Sequence, residues 1–369
     1  MAKRFEKGSR MVKTLSRRSG PPDADRSKRA TIFSVAESAG VSITTVSHVL
    51  NYPDRHKYSA TVEKKVLAAC RRLAYRPNVL ARSLAKRTTP AVGLLCDSLD
   101  DHNITRAVNR AVELAATNGL HVVISTKPSE IPWANLLEEG RVGWIISIVE
   151  SMINQSRELM NSRLLERIIS VTPGPVVDAL PVACRIWWDE RRNGRLIADH
   201  LAELGHREIA VLAGSFADPE CGCWRLQEVY RRANELGLAP RWIVNAEEDK
   251  TDIPASGQRM MQETLERFPD VTAVVCRQDY HAIGAYRALI RAGKHIPDNM
   301  ALVGNMDLQR MLYLDPPLTS VASPIVEGVE KAMEIFLQTR EGTAMAMENL
   351  DLSEYIRLVV RGSTVRTNL

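Results

Sequence analysis

Beyond Pro90, short apolar runs alternate with stretches in which apolar residues recur every three or four positions. The runs predict strands and the intervening stretches predict helices. Strands that alternate with helices build parallel sheets covered by helices on both sides. Two such series meet near Asp189 without a long linker, so the sequence predicts an α/β body with two similar lobes. The predicted strands are 91–96, 121–125, 144–149, 168–171, 209–213, 242–244, 273–276 and 301–304, and the predicted helices are 106–118, 135–139, 194–204, 224–236, 258–268 and 281–292.

Residues 32–50 predict a different, all-α unit made of two short helices around a tight turn. Thr31 and Ser42 are suitable N-caps for the two helices, and Gly40 suits the turn between them. Apolar residues form one stripe of the second helix and polar ones face outward. Side chains of this length reach base edges in the DNA major groove. The alternative is a helical hairpin inside an ordinary core. The predicted base-contacting residues are Ile43, Thr44, Thr45, Ser47, His48 and Asn51.

The charge distribution favours DNA binding. Residues 1–29 and 30–89 each carry ten Lys and Arg against three Asp and Glu, which leaves −9 for residues 90–369 in a chain of net charge +5. A basic front on an acidic body indicates an anionic partner at the front only, and nucleic acid satisfies this. Ser42, Arg55 and Lys57 are the predicted contacts to DNA phosphates.

A helix is predicted to begin at Pro77 and Asn78. It must be short, because the Thr-Thr-Pro at 88–90 ends it. A helix of about nine residues is marginal alone in water, so it should become ordered only against another surface. Leu84 lies among basic residues and predicts a wedge into the minor groove. The alternative is that Leu84 packs on the neighbouring domain. The predicted minor-groove residues of this hinge are Asn78, Ala81, Arg82 and Leu84.

From Thr31 to about Gly362, the chain resembles the LacI/GalR (lactose-repressor) family of bacterial transcription regulators. The resemblance rests on Val35–Ser42 with Thr45–Ser47, on Tyr75–Asn78 with Ala81–Leu84, and on Pro316–Val321 with Val360–Thr364. It implies a homodimer that binds a near-palindromic double-stranded operator, with the hinge helices in the minor groove. It also implies a two-lobed, periplasmic-binding-protein-like body that holds a small molecule, often a sugar or nucleobase, between its lobes. Ligand in this cleft would change DNA affinity.

Three charged residues that follow strands of the second series are the candidate effector ligands: Arg225, Asp279 and Asp307. Ligands of open α/β sheets bind at the carboxyl ends of strands. An arginine with two carboxylates can hold a polyol or a zwitterion through charge-assisted hydrogen bonds. The family resemblance implies ligand contacts at the positions of Arg225 and Asp279. For each residue, the alternative is a helix cap or a salt bridge between the lobes.

One departure from the family pattern lies in the second helix, where His48 occupies a position that is usually arginine. An arginine can hold O6 and N7 of guanine with two hydrogen bonds, whereas histidine offers fewer donors. The sequence therefore predicts an altered operator base pair at this contact.

The effector cleft departs from the family pattern as well. Asn103 and Ile104 replace an aromatic pair, Gln278-Asp279 replaces Asn-Asp, and 304–307 reads Gly-Asn-Met-Asp in place of Gly-Phe-Asp-Asp. Loss of aromatic residues implies loss of stacking on a sugar ring. The cleft is therefore predicted to bind an unusual effector, a protein, or nothing. Trp187 and Trp188 are candidates for replacement stacking, with a core role as the alternative.

The predicted organisation has four parts. They are a disordered basic tail (1–29), a helix–turn–helix domain (30–77), a hinge helix and linker (78–89), and the body (90–369). The family's chain crosses between lobes three times, which places lobe 1 at about 90–188 and 317–341, and lobe 2 at about 189–316 and 345–369.

Other classes of protein lack support in the sequence. No apolar leader is expected, and the longest apolar run, 144–149, is too short to span a membrane. Cys221-Gly222-Cys223 is compatible with a metal or redox pair, but no second ligand pair has suitable spacing, so no metal or cofactor is predicted. The common phosphate-loop, dinucleotide, metalloprotease and serine-hydrolase motifs do not occur, so no enzyme is predicted. A cytoplasmic, nucleoid-associated bacterial regulator is expected, and a secreted solute-binding protein is the alternative.

Overall fold

The computed structural model of the chain divides into two compact units, residues 1–85 and 86–369. It describes residues 30–51, 57–75, 89–126, 133–148, 163–174, 181–216, 223–249, 251–340 and 348–365. The predictions for the tail at 1–29 and for the hinge residues at 78–84 lie outside the described residues.

The first unit is the predicted helix–turn–helix, and its three helices share a small apolar core. They are α1 (Ile32–Ala39), α2 (Ile43–Asn51) and α3 (Ala60–Arg72). Thr31 caps α1 by accepting from the Ser34 backbone N–H, and Gly40 ends it with a φ of +63°. This left-handed conformation suits glycine, which has no Cβ to clash. Val35, Val46 and Val66 are fully buried where the helices meet.

The second unit contains two six-stranded sheets, each flanked by helices. Their elements, in chain order, are β1 (Ala91–Leu95), α4 (His102–Thr117), β2 (His121–Ser125), α5 (Trp133–Glu138), β3 (Trp144–Ser147), β4 (Ile168–Pro173), β5 (Cys184–Trp188), α6 (Arg191–Glu203), β6 (Glu208–Leu212), α7 (Trp224–Glu235), β7 (Ala239–Ile243), α8 (Ile253–Arg267), β8 (Ala273–Cys276), α9 (Asp279–Arg291), β9 (Ala301–Asn305), β10 (Thr319–Ala322), α10 (Ile325–Arg340), β11 (Leu350–Asp351) and β12 (Arg357–Val359).

The strand order is β11-β5-β4-β3-β1-β2 in lobe 1 and β12-β10-β9-β8-β6-β7 in lobe 2. Neighbouring strands run parallel, apart from the antiparallel pair β10 and β12. Inner strands such as β8 are buried at every position, as expected for a sheet covered on both faces. The predicted α/β body with two similar lobes is confirmed.

The lobe boundaries differ from those predicted after residue 316. Strand β10 pairs with β9 in lobe 2, so the chain returns to lobe 1 only between β10 and α10, which packs on α4. Strand β11 pairs with β5 in lobe 1, so the last crossing lies between β11 and β12. The predicted limits of 317 and 345 are therefore corrected, because strands this short carry too few residues to show which sheet they join.

Strand β5 was not predicted, although it forms the wall of lobe 1 beside β4. Its second position holds Arg185, which is buried despite its charge. A charged residue in a run of five breaks the apolar signal on which the strand prediction relies.

Among the described helices, none combines the length and apolar character that a membrane span requires.

Candidate DNA-binding helix and inter-lobe cavity

Helix α2 separates a buried apolar stripe from an outward polar face. Val46 and Val49 are buried, whereas Ile43 is 39% exposed and Thr44 is exposed beside it. The predicted cap of this helix is present, because Ser42 Oγ accepts from the Thr45 backbone N–H at 3.1 Å. The helix therefore presents short polar groups and one branched apolar group on a rigid support.

The other predicted DNA contacts lie around this face. Thr45, Ser47 and His48 are half-buried, and Lys57 is exposed. Ser42 Oγ also lies 2.8 Å from Thr45 Oγ1, so these two hydroxyls share one hydrogen bond. Arg55 and the side chain of Asn51 lie outside the described residues, as do the hinge positions Asn78, Ala81, Arg82 and Leu84.

The imidazole of His48 is oriented by an aromatic neighbour that the sequence did not indicate. Tyr58 meets it edge to face, with ring centroids 5.4 Å apart and an interplanar angle of 82°. Contacts of this kind favour one ring orientation over free rotation. Tyr58 lies in the loop before α3, and only the tertiary fold brings it against α2.

A cavity of about 350 Å³ lies between the two lobes of the body. Its walls come from residues at or just beyond the carboxyl ends of β1, β3, β4 and β5 in lobe 1 and of β8, β9 and β10 in lobe 2, together with the starts of α4, α7 and α10. This is the expected ligand position in open α/β sheets. The lining residues are Asp97, Asp101, Asn103, Ile104, Ile148, Thr172, Pro173, Trp188, Glu190, Arg225, Gln278, Asn305, Met306, Ser323 and Ile325.

Arg225 is the predicted effector ligand that lines this cavity. Its guanidinium pairs with Glu190 through a 2.8 Å contact between Nη1 and Oε1, and both side chains are largely buried. Burial alone would lower the pKa of Arg225. The Glu190 carboxylate raises this pKa by more than burial lowers it, so the arginine stays charged. Its Nε is buried and has no hydrogen-bond partner among the described residues. One donor of Arg225 is thus buried and unsatisfied in the cavity wall.

Asp279 does not line the cavity, and its prediction as an effector contact is corrected. The residue is 0% exposed at the first position of α9. Its carboxylate accepts from the Leu308 backbone N–H at 2.8 Å and from Ser320 Oγ at 2.7 Å. Asp279 therefore holds the turn after β9, while the preceding residue, Gln278, lines the cavity.

Burial makes the pKa of Asp279 abnormal, and this leads to a testable effect of pH. Desolvation raises this pKa to about 6 from an ordinary value near 3.8, although the two hydrogen bonds oppose the rise. The folded state then binds the proton more tightly than the unfolded state. The contribution of Asp279 to stability is therefore lost as pH rises from about 4 through about 6.

We expect the variant Asp279→Asn to escape this loss, because an amide keeps the shape of the group without ionising. Its free energy of unfolding relative to that of the unmodified chain should rise by about 2 kcal/mol between pH 4 and pH 7. Denaturant titrations at both pH values measure this difference, with the exposed Asp270→Asn as control. A difference that stays constant with pH would contradict the assignment.

Asp307 also fails to reach the cavity. Its carboxylate pairs with Arg361 from the C-terminal segment, at 2.6 Å between Oδ1 and Nη2. It borders a separate and smaller cavity of about 80 Å³. Met306 and Asp307 both have positive φ, of 132° and 50°. The turn therefore directs Met306 into the main cavity and Asp307 away from it, which corrects the second predicted carboxylate ligand.

Several cavity residues were not predicted as ligands. Asp97 lies two residues after the end of β1, and Asp101 caps α4, so the strand-end rule that selected Arg225 would have selected Asp97 too. Trp188 lines the cavity whereas Trp187 does not. Asn103 is one of the noted departures, and it crosses the cleft. Its Nδ2 donates to the Met306 backbone oxygen at 2.6 Å.

The comparisons with known proteins agree with both halves of this architecture. The model of the bacterial regulatory proteins of the lacI family matches residues 31–78, and that of the periplasmic-binding-protein-like domain matches residues 198–364. The HTH-type transcriptional repressor PurR of Haemophilus influenzae is 28% identical over 319 residues, which are 84% of this chain and 90% of that protein. The ribose operon repressor of the same species is 27% identical over 322 residues, with 84% and 91% covered.

Solved structures share the fold of this chain. A lac repressor dimer bound to operator and the anti-inducer ONPF has a TM-score of 0.73 and 26% identity, covering 92% of this chain and all of that one. A LacI-family regulator from Silicibacter pomeroyi has a TM-score of 0.71 and 22% identity, covering 90% and 99%, and supports the fold alone.

Proposed function

We propose that the chain is a member of the LacI family of bacterial regulatory proteins and acts as a sequence-specific, DNA-binding transcriptional repressor whose body binds a small-molecule effector. The observation that carries this proposal is the two-sided character of α2. Val46 and Val49 anchor one side, and Ile43 and Thr44 extend from the other. A helix that enters the major groove needs this combination of a rigid base and exposed short side chains.

The chain acts as a homodimer on a near-palindromic operator in this proposal. Two copies of α2 occupy successive major grooves, with Ile43, Thr44, Thr45, Ser47, His48 and Asn51 at base edges. Ser42, Arg55 and Lys57 contact phosphates, and the paired hinges enter the minor groove through Leu84. The lac repressor relative crystallised as a dimer on its operator, which supports this arrangement. The site of action is the bacterial cytoplasm, at the nucleoid, and no catalytic step is involved.

The inter-lobe cavity is the proposed effector site, with Arg225 as its anchor. Asn103 and Met306 join the lobes across it, so a ligand there alters how the lobes close. A structural relative from Enterococcus faecium holds ribose, and a sugar is one candidate class. A cleft that binds no sugar is the alternative, favoured by Asn103 and Ile104 in place of aromatic residues. A solute-binding protein remains the distant alternative, and the helix–turn–helix unit argues against it.

Selection of binding sites from random duplex DNA tests the DNA-binding part of this proposal. We expect a recovered motif with two-fold symmetry and half-sites about one helical turn apart. Affinity for that motif should fall steeply with salt, because several phosphates are neutralised. Recovery of no motif, together with weak binding that does not depend on salt, would refute the proposal.

His48 should determine one base pair of the recovered motif. We expect His48→Arg to shift the preference at that position toward guanine, because arginine donates two hydrogen bonds to it. His48→Ala should reduce discrimination there by about 1–3 kcal/mol. Repeating the selection with each variant measures both effects. Lys57→Ala is the matched control, because a lost phosphate contact weakens all sequences alike. An unchanged motif in both His48 variants would place the ring outside the groove.

A further inference from the structure

The described lining of the inter-lobe cavity carries more negative than positive charge. It includes the carboxylates of Asp97, Asp101 and Glu190 against the single guanidinium of Arg225. Arg225 pairs with Glu190 at 2.8 Å, and the other two carboxylates form no ion pair with a described cation, although the charge of Asp101 also helps to raise the pKa of Arg225. An anionic ligand would have to approach these two charges.

The two remaining carboxylates differ in how far they are already engaged. Asp101 Oδ1 accepts from the backbone N–H groups of Asn103 and Ile104 at the start of α4, at 2.8 and 3.2 Å. Its second oxygen has no bond to the described part of the chain. Asp97 is exposed to the cleft and forms no hydrogen bond or ion pair with any described residue. Both therefore keep acceptor capacity for a ligand.

Buried donors without partners lie in the same cavity wall. Asn305 is 1% exposed and Trp188 is 3% exposed. Asn305 Nδ2, Trp188 Nε1 and Arg225 Nε have no hydrogen-bond partner among the described residues. A buried donor left unsatisfied destabilises the folded state, and native proteins seldom keep several together without a ligand or water. Their grouping indicates a ligand rich in acceptor oxygens.

We propose that the effector is a small polyhydroxylated amine. Its hydroxyl or ring oxygens accept from Asn305, Trp188 and Arg225, and its protonated amino group lies against Asp97 and Asp101. A cavity of about 350 Å³ has room for a molecule of monosaccharide size. This inference rests on the proposed effector role of the cavity and specifies the chemistry of what it binds.

Matched pairs of sugars that differ only by an amino group in place of a hydroxyl test this inference. Calorimetric titration of the full chain with glucosamine against glucose, galactosamine against galactose, and mannosamine against mannose separates charge from ring stereochemistry. We expect at least one amine to bind at least tenfold more tightly than its neutral partner. Glucosamine 6-phosphate should bind more weakly than glucosamine, because its phosphate faces the carboxylates.

Two variants assign the preference to particular atoms. Asp97→Asn should weaken binding of the amine at least fivefold more than it weakens binding of the neutral sugar. Trp188→Phe keeps an aromatic ring but removes Nε1, so it should weaken both members of a pair alike. Asp270→Asn, exposed and distant from the cavity in sequence and fold, serves as the control for a general change of charge.

The outcomes separate this inference from the function on which it rests. Equal or tighter binding of the neutral sugar in every pair overturns the inference, and so does failure of all three amines to bind. Operator binding is measured on the same preparations. If operator binding persists while the amines fail, only the ligand class is wrong. If operator binding is itself absent, the proposed function fails.

Discussion

A chain that lacks residues 1–89 should lose affinity for its duplex operator by at least about a thousandfold. Specific binding exceeds nonspecific binding by this factor or more in proteins of this kind. The deletion removes α2, the hinge and both basic segments. The remaining body carries a net charge of −9 and repels DNA phosphates. Fluorescence anisotropy with labelled operator at two salt concentrations measures the loss.

The body should remain folded after this deletion, because its sheets and cores lie within residues 86–369. A cooperative thermal transition of the truncated chain is the control for folding. Deleting residues 1–29 alone separates the tail from the helix–turn–helix, and it should weaken operator and random duplex by a similar factor. Operator affinity that survives removal of 1–89 would show that DNA binds to the body.

Replacing Gly284 with alanine should destabilise the body by at least about 3 kcal/mol, which lowers the melting temperature by about 6–12 °C. Helices α8 and α9 touch through their backbones at this point. A Cβ on residue 284 would lie 1.8 Å from the Pro254 carbonyl oxygen and 2.5 Å from the Gln258 nitrogen. Backbone atoms cannot rotate away as a side chain can, so the helices must separate.

The damage should extend to the cavity, because α9 begins at Asp279, which holds the turn after β9. Effector binding should therefore weaken at temperatures where the variant is still folded. Gly143→Ala is the matched control, since a Cβ there meets Thr89 at an ordinary distance of 3.7 Å. Differential scanning calorimetry of both variants gives the comparison. Equal melting temperatures for the two would mean that the α8–α9 contact is looser than described.

The fold was largely predictable because its signals are local. Thr31, Gly40 and Ser42 mark helix ends through the conformations and hydrogen bonds that their own segments require. Buried parallel strands such as β8 are apolar throughout. The prediction failed at β5, where Arg185 interrupts the run, and at β10 and β11, whose sheets are chosen by long-range pairing.

The site was less predictable because a carboxylate at a strand end can face either way. Asp279 and Asp307 were predicted as ligands because they follow strands. Both carboxylates instead bind groups within lobe 2, the Leu308 backbone N–H and the Arg361 guanidinium respectively. Asp97 follows β1 in the same manner and does face the cavity. Nothing in the immediate sequence distinguishes the three. The difference lies in which neighbours the completed sheet brings to each carboxylate.

The sequence by itself determined the helix–turn–helix, the polar face of α2 and the two-lobed α/β body. These features depend on residues a few positions apart, whose spacing is visible along the chain. Only the tertiary structure decided which polar groups surround the cavity. Asp97, Trp188 and Asn305 come from separate strands of two sheets, and they meet because parallel strands end at the same edge of each sheet. How deeply each side chain is buried, and which hydrogen-bond partners it has, are decided only when these strand ends come together.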